Sequence, residues 1–304
     1  MPSDLPVGEV LSLLTACCFA LSVLFFSRAG ERIGSLNLNP IRLAIGLAFL
    51  SAYGTFARGR PLPTDASADA WGWLSLSGLV GLFAGDLFLF RALIDVGPRL
   101  SALLMSLAPP ITALVGYAFL DERLSSNALL GIGLTVVGVC MAVLDRPAKP
   151  PAELAPGSLR RHRGRGVLFG FLGAVGQAVG LVLSKRGMGS YDAFASTQVR
   201  VIAALGAFAV LLGLSGRAKG LVRALQDRRA MVWATAGAFV GPFLGVGMSL
   251  LAVQYVETGI AASLIATTPI LVIPFAWYAG DRPSMLSVVG TFVAVYGVTR
   301  LFTD

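Results

Sequence analysis

The stretch Trp73-Leu-Ser-Leu-Ser-Gly-Leu-Val-Gly81-Leu-Phe83-Ala-Gly85-Asp86 returns 160 residues later as Trp233-Ala-Thr-Ala-Gly-Ala-Phe-Val-Gly241-Pro-Phe243-Leu-Gly245-Val246. The same shift pairs Ala92 with Ala252, Pro109 with Pro269, and Asp121 with Asp281. Further on, Gly131 and Gly138 match Gly290 and Gly297; earlier, Ser27-Arg28 matches Ser184-Lys185 and Arg42 matches Arg200. Apolar residues match by chance often. Matched Trp, Pro, Asp and Arg in one nearly ungapped frame mark an internal repeat, of the kind secondary transporters carry.

Composition says what solvent the repeat lives in. Of 304 residues, 56% are hydrophobic and 13% charged, about half the charged share of a soluble domain. The mean hydropathy is +0.78. So few charges exclude an ordinary soluble enzyme, a disordered chain and a disulfide scaffold. A window of about 19 residues predicts ten transmembrane helices, at 8–28, 37–57, 70–94, 99–120, 126–144, 166–185, 192–215, 230–255, 258–280 and 284–303. The expected fold is therefore an all-α integral membrane protein. Residues 1–145 form the first five-helix repeat, 146–165 a basic, Pro- and Arg-rich linker, and 166–304 the second repeat. Five is odd, so the second repeat enters from the opposite face, and the two are inverted. No basic segment precedes the first apolar run, which reads as a retained helix.

The net charge of +8 fits the positive-inside bias better than nucleic-acid binding, because no basic domain exists to carry the latter. Of the 24 Lys and Arg residues, fifteen fall in the odd-numbered loops and six on the side of the termini. This bias puts both termini outside and the odd loops in the cytoplasm. The lone histidine, His162, and the cysteines Cys17, Cys18 and Cys140 form no metal-ligand or catalytic spacing, so neither a metal nor a cofactor is expected. The sequence sets no oligomeric state.

Ionisable and polar groups inside spans are the candidate site residues, since lipid makes them costly. Asp86 is the deepest acid, and its counterpart is Val246. It is a candidate for proton coupling or for pairing with Arg42. Arg91 and Asp95, four apart, share a helix face. Two charge-paired gates are expected, Arg42 with Asp86 or Asp95 and Arg200 with Glu257, with Gln254 on the latter's side. Pro109 and Pro269 are expected hinges, because proline frees a carbonyl one turn back and such breaks survive in lipid only beside protein or a polar cavity. Ser106, Thr267 and Thr268 offer nearby hydroxyls, and Gln177 is the uncharged polar residue best placed for substrate contact.

The runs Gly85-Asp86-Leu-Phe-Leu-Phe-Arg91-Ala92-Leu93, Ser101 to Pro109, Asp121-Glu122-Arg123-Leu124 and Gly131-Ile-Gly133 to Gly138 resemble the EamA domain of the drug/metabolite transporter superfamily. The second copy runs from Gly241 through Pro269 and Asp281 to Gly297. Where many relatives carry a Trp in the first helix of each half, this chain reads Ala16-Cys17-Cys18-Phe19 and Gly176-Gln177-Ala178. The resemblance implies a secondary transporter of the bacterial inner membrane. It would export or exchange a small metabolite, such as an amino acid or related organic solute, and would not be an enzyme. A membrane-embedded enzyme, a lipid-handling protein and a passive channel are the alternatives; no convergent catalytic set favours the first.

Overall fold

The structure is a computed structural model that describes the backbone of residues 6–144, 158–216, 218–268, 270–271 and 285–301. Among these residues every regular element is helical. The first half holds α1 (Val7–Ile33), α2 (Ser35–Arg58), α3 (Ala68–Ser77), α4 (Asp86–Met105), α5 (Ala108–Leu120) and α6 (Ser126–Leu144). The second holds α7 (Ser158–Met188), α8 (Ala193–Leu214), the two-turn α9 (Ala218–Leu225), α10 (Arg228–Ala238), α11 (Val246–Tyr255), α12 (Thr258–Ile265) and α13 (Met285–Leu301).

Among the described residues, six helical runs are long and apolar enough to cross a bilayer: Val7–Ile33, Leu36–Arg58, Ala68–Ala92, Gly164–Met188, Ala193–Leu214 and Arg228–Tyr255. Ala108–Leu120, Ser126–Met141 and Val288–Arg300 are shorter apolar helices. The expected span 258–280 is described only in part, and Pro269 and most of the linker 146–165 lie outside the described residues. Large apolar side chains such as Phe56, Leu114 and Phe119 face outward. That is unfavourable in water and natural against lipid.

Two boundaries differ from expectation. The break expected between 94 and 99 is absent, and α4 runs on to Met105. Its turn at Asp95 and Val96 sits directly on Gly166 of α7, where a Cβ would come within 2.8 Å of the Asp95 Cβ. That contact holds the segment in register. The chain breaks instead after Met105, and α5 starts at Ala108 with proline in its first turn. Pro109 therefore opens a helix rather than kinking one, a position where its missing N–H costs nothing.

The regular helices α3 and α10 each pass into a π-helical segment, Gly78–Gly85 and Phe239–Gly245, before α4 and α11 resume. The two wide turns occupy matched places in the repeat. Glycine explains the first. Gly81 and Gly85 lie against Gly180 and Gly176 of α7, where a Cβ on either α7 glycine would come within 2.9 Å of the facing Cα. Backbone meets backbone there. In the second turn Pro242 has no N–H to give to a regular ladder, and the wider turn accommodates it.

Each half's first helix packs on the other half's third: α7 runs along α3 and α4, and α1 along α10 and α11. Equivalent helices also meet each other, and they meet antiparallel. On α2 and α8, the Tyr53 ring lies tilted 4.7 Å from that of Phe194, while Ser51, two residues earlier, accepts from Gln198, four later, at 2.9 Å. On α6 and α13, Gly138 faces Gly290 and Ala294, while Gly131 and Thr135 face Gly297.

The last contact is the tightest test of this fold. A Cβ at Gly138 would overlap the Ala294 backbone, whereas one at Gly133 meets nothing within 4 Å. Gly138→Ala is expected to cost about 1–3 kcal/mol, the usual penalty of overfilling a close-packed contact. Gly133→Ala, on the same helix, is expected to cost nothing. Thermal unfolding of the two purified variants makes the comparison.

Candidate functional site

The wide turns position a charged cluster deep in the molecule. Asp86 follows the first turn directly, and Gln177 comes from the α7 face that packs on it. Arg42 reaches in from α2. An Arg42 Nη2 donates to Asp86 Oδ2, and Gln177 Nε2 donates to the other carboxylate oxygen at 3.1 Å. The same amide lies 3.3 Å from the Gly81 carbonyl, which the wide turn presents to α7. The Arg42 guanidinium also lies 5.5 Å from the Phe26 ring. Asp86 is buried. Removing one member of such a pair leaves an uncompensated charge, which typically costs 3–5 kcal/mol.

These groups line a cavity of about 110 Å³. Its polar wall is Arg42, Asp86, Gln177 and Ser22, and its apolar wall is Phe19, Phe26, Leu43, Leu82, Val201, Pro242 and Val246. The two halves contribute unequally. Where α7 offers glycines to the first wide turn, α1 offers Phe19 and Phe26, which rest on Gly245 and Gly237 of the second half. These rings hold α1 off the second turn. Arg200 lies beside the cavity, its guanidinium against Gly81. It is buried, and its Nε finds no hydrogen-bond partner.

The other expected site residues fall elsewhere. Asp95 is buried and accepts from Arg165 Nε at 3.2 Å, with Arg91 Nε at 3.4 Å. Arg200 and Glu257 form no ion pair. Arg200 is anchored at mid-span, its backbone on Gly78, while Glu257 is the residue before α12. Gln254 donates to the Gly189 and Tyr191 carbonyls. Thr267 and Thr268, just past α12, donate to the Leu264 and Ile265 carbonyls at its end, both at 2.6 Å. Ser106 lies 3.1 Å from the Cys140 sulfur. None of these lines the cavity.

A second cluster was not anticipated from sequence. Glu122, just past α5, is the acceptor for three donors of the second half. Lys185 Nζ donates to it at 2.7 Å, the Thr258 hydroxyl at 2.6 Å and the Thr258 N–H at 3.0 Å. Lys185 also donates to the Val256 carbonyl at 2.9 Å. Glu122 thus fills the capping place at the start of α12, where a carboxylate is favoured, and Glu257 leaves it vacant. The matched pair Ser27-Arg28 and Ser184-Lys185 was the sequence signal that Lys185 holds a repeated position.

On the same side of the molecule, Tyr191 OH donates to Asp65 at 2.8 Å, and Arg58 donates to both. The tyrosine hydrogen bond, and then Arg58, hold the Asp65 carboxyl below its ordinary value.

Breaking the Glu122 cluster from one side should be worse than removing it whole. Glu122→Ala is expected to lower stability by about 3 kcal/mol, with Glu122→Gln/Lys185→Met recovering most of the loss. A double-mutant cycle on thermal unfolding reads the coupling, and additive losses would show that the two residues do not act together.

Comparison with known proteins agrees with this architecture. The model of the EamA-like transporter family matches twice, over residues 6–144 and 164–303. No curated protein matches the chain. One protein known from its crystal structure superposes with a TM-score of 0.73 at 18% identity, over 96% of this chain and 95% of that one. At that identity the likeness speaks for the fold. With two copies of the family's repeat spanning nearly its whole length, the chain belongs to the EamA-like transporter family, membrane transporters of the drug/metabolite type.

Proposed function

We propose that the protein is a secondary transporter that exports or exchanges a small metabolite across the bacterial inner membrane by alternating access. Its ten spans form two inverted five-helix repeats, with both termini outside. The observation that carries this reading is the cavity holding Arg42, Asp86 and Gln177, lined by residues of both halves. Charge that deep in an apolar protein is costly, and solute pathways are where it is retained. The antiparallel mating of equivalent helices supports inversion, because repeats related by an axis along the membrane normal would bring equivalent helices together in parallel.

The polar links sort by end and give the motion a direction. At the termini end, Glu122, Lys185 and Thr258 join the two halves through a largely buried cluster. At the other end, Asp95 meets Arg165 and Arg91, and Arg32 meets Asp227, with arginines that are 44–48% exposed. On this reading the termini end is held more firmly, and the exposed links at the other end part first. Opening the termini end requires the Glu122 cluster to exchange its donors for water.

Asp86 and Arg42 act as a pair in this cycle, loosening when solute enters. Asp86→Asn and Arg42→Met are each expected to lower counterflow in proteoliposomes at least tenfold, with the protein still eluting as a folded species. An Asp86→Asn protein with unchanged rate and unchanged pH dependence would remove Asp86 from the mechanism. Counterflow that fails to saturate would favour a channel.

A further inference from the structure

The repeat maps Arg42 onto Arg200 and Asp86 onto Val246. The first arginine therefore has a carboxylate supplied by the protein, and at the second the corresponding acid is missing. The geometry agrees. Arg200 is 5% exposed, and no described residue offers it a hydrogen bond or an ion pair within 4 Å. Its Nη2 would lie 3.5 Å from a Cβ on Gly81. That glycine's carbonyl takes the amide of Gln177, which lines the cavity, so Arg200 lies directly behind the lining without being part of it.

Arg42 and Asp86 cancel, so Arg200 leaves the site with one uncompensated positive charge. A buried guanidinium without an acceptor costs several kcal/mol, and it is built to hold a carboxylate through two parallel hydrogen bonds.

Resting on the transport reading above, we propose that the solute is a small organic acid of net charge −1, whose carboxylate supplies the acceptor that the second repeat lacks. The carboxylate enters beside Arg42, with Gln177 as a further donor, and the Arg200 guanidinium, which sits behind the cavity lining at Gly81, turns to meet it. The tail lies on Phe19, Phe26, Leu43 and Leu82, so it is apolar. A volume of about 110 Å³ limits the solute to about eight to ten non-hydrogen atoms, since each water-sized group fills roughly 10–15 Å³ on this measure. An amine would face Arg200 and be repelled; a neutral amide would leave its charge unmatched.

The test uses isosteric probes and two readouts. Benzoate, 4-methylpentanoate, benzamide and benzylamine are titrated against the purified full-length protein while its melting temperature is followed. The carboxylates are expected to raise it progressively with concentration, and the amide and amine to leave it flat. Arg200→Gln is expected to weaken benzoate at least tenfold, and Arg200→Lys, which keeps the charge and loses the fork, by less. Without any probe, Arg200→Met is expected to melt above the wild type, because it removes an unpaired buried charge. A lower melting point would mean that Arg200 braces the helices instead.

Equal stabilisation by benzamide or benzylamine overturns the assignment. So does benzoate binding unchanged by Arg200→Gln, or wild type that ignores both carboxylates. Counterflow separates this proposal from the reading beneath it. Arg200-dependent benzoate binding with no protein-dependent flux of any probe would defeat the transport reading and leave the anion site standing. Benzylamine flux without benzoate flux would do the reverse.

Discussion

A charged group in the interior of a bilayer must find an opposite charge, a set of hydrogen bonds or water. This protein answers that constraint most deeply at the Asp86 carboxylate, held between Arg42 and Gln177. The groups come from α2, α4 and α7, so the network exists only when both halves are assembled. The wide turn at Gly78–Gly85 makes it possible. It brings the α7 backbone close enough for Gln177 to reach the carboxylate and the Gly81 carbonyl together. π-helical turns are rare and recur at functional sites; two at matched positions place the irregular backbone where a cavity and glycine contacts can satisfy it.

The repeat is nearly symmetric in backbone and asymmetric in chemistry. One first helix is smooth with glycine and seals against its wide turn; the other carries Phe19 and Phe26 and stands off from its own. One arginine has an acid and its mate has Val246. Approximate symmetry suits alternating access, since a motion at one end has its counterpart at the other. The proposed solute site and charge rest on the departures from symmetry. The Glu122 cluster joins the end of α5 to α7 and α12 through hydrogen bonds and an ion pair.

Much of the architecture was legible in the sequence because its signals are local or periodic. Apolar windows located the six long spans, and matched Trp73 and Trp233, Gly81 and Gly241 gave the repeat its frame. The site was legible in part. Asp86, Arg42, Gln177 and Arg200 stand out as polar groups in apolar runs, and all four gather at one place. The wide turns were not legible, because they depend on glycines of α7 and rings of α1 that arrive from about 100 or more residues away. Pro109 was misplaced for a related reason: proline reads alike as a kink and as a first-turn residue until the break after Met105 is known. Glu122 hid in a three-residue connection, its partners Lys185 and Thr258 lying 63 and 136 residues along the chain.

The account depends most on a single pocket between mirror-oriented halves that water reaches from either face in turn. The direct measurement is labelling of one cysteine at Ser22, a cavity-lining position, in a chain whose native Cys17, Cys18 and Cys140 have been replaced. A membrane-impermeant maleimide is applied from each side of sealed vesicles. The account predicts reaction from both faces, with the two rates moving in opposite directions when transported solute is added. Reaction from one face alone under every condition would contradict it.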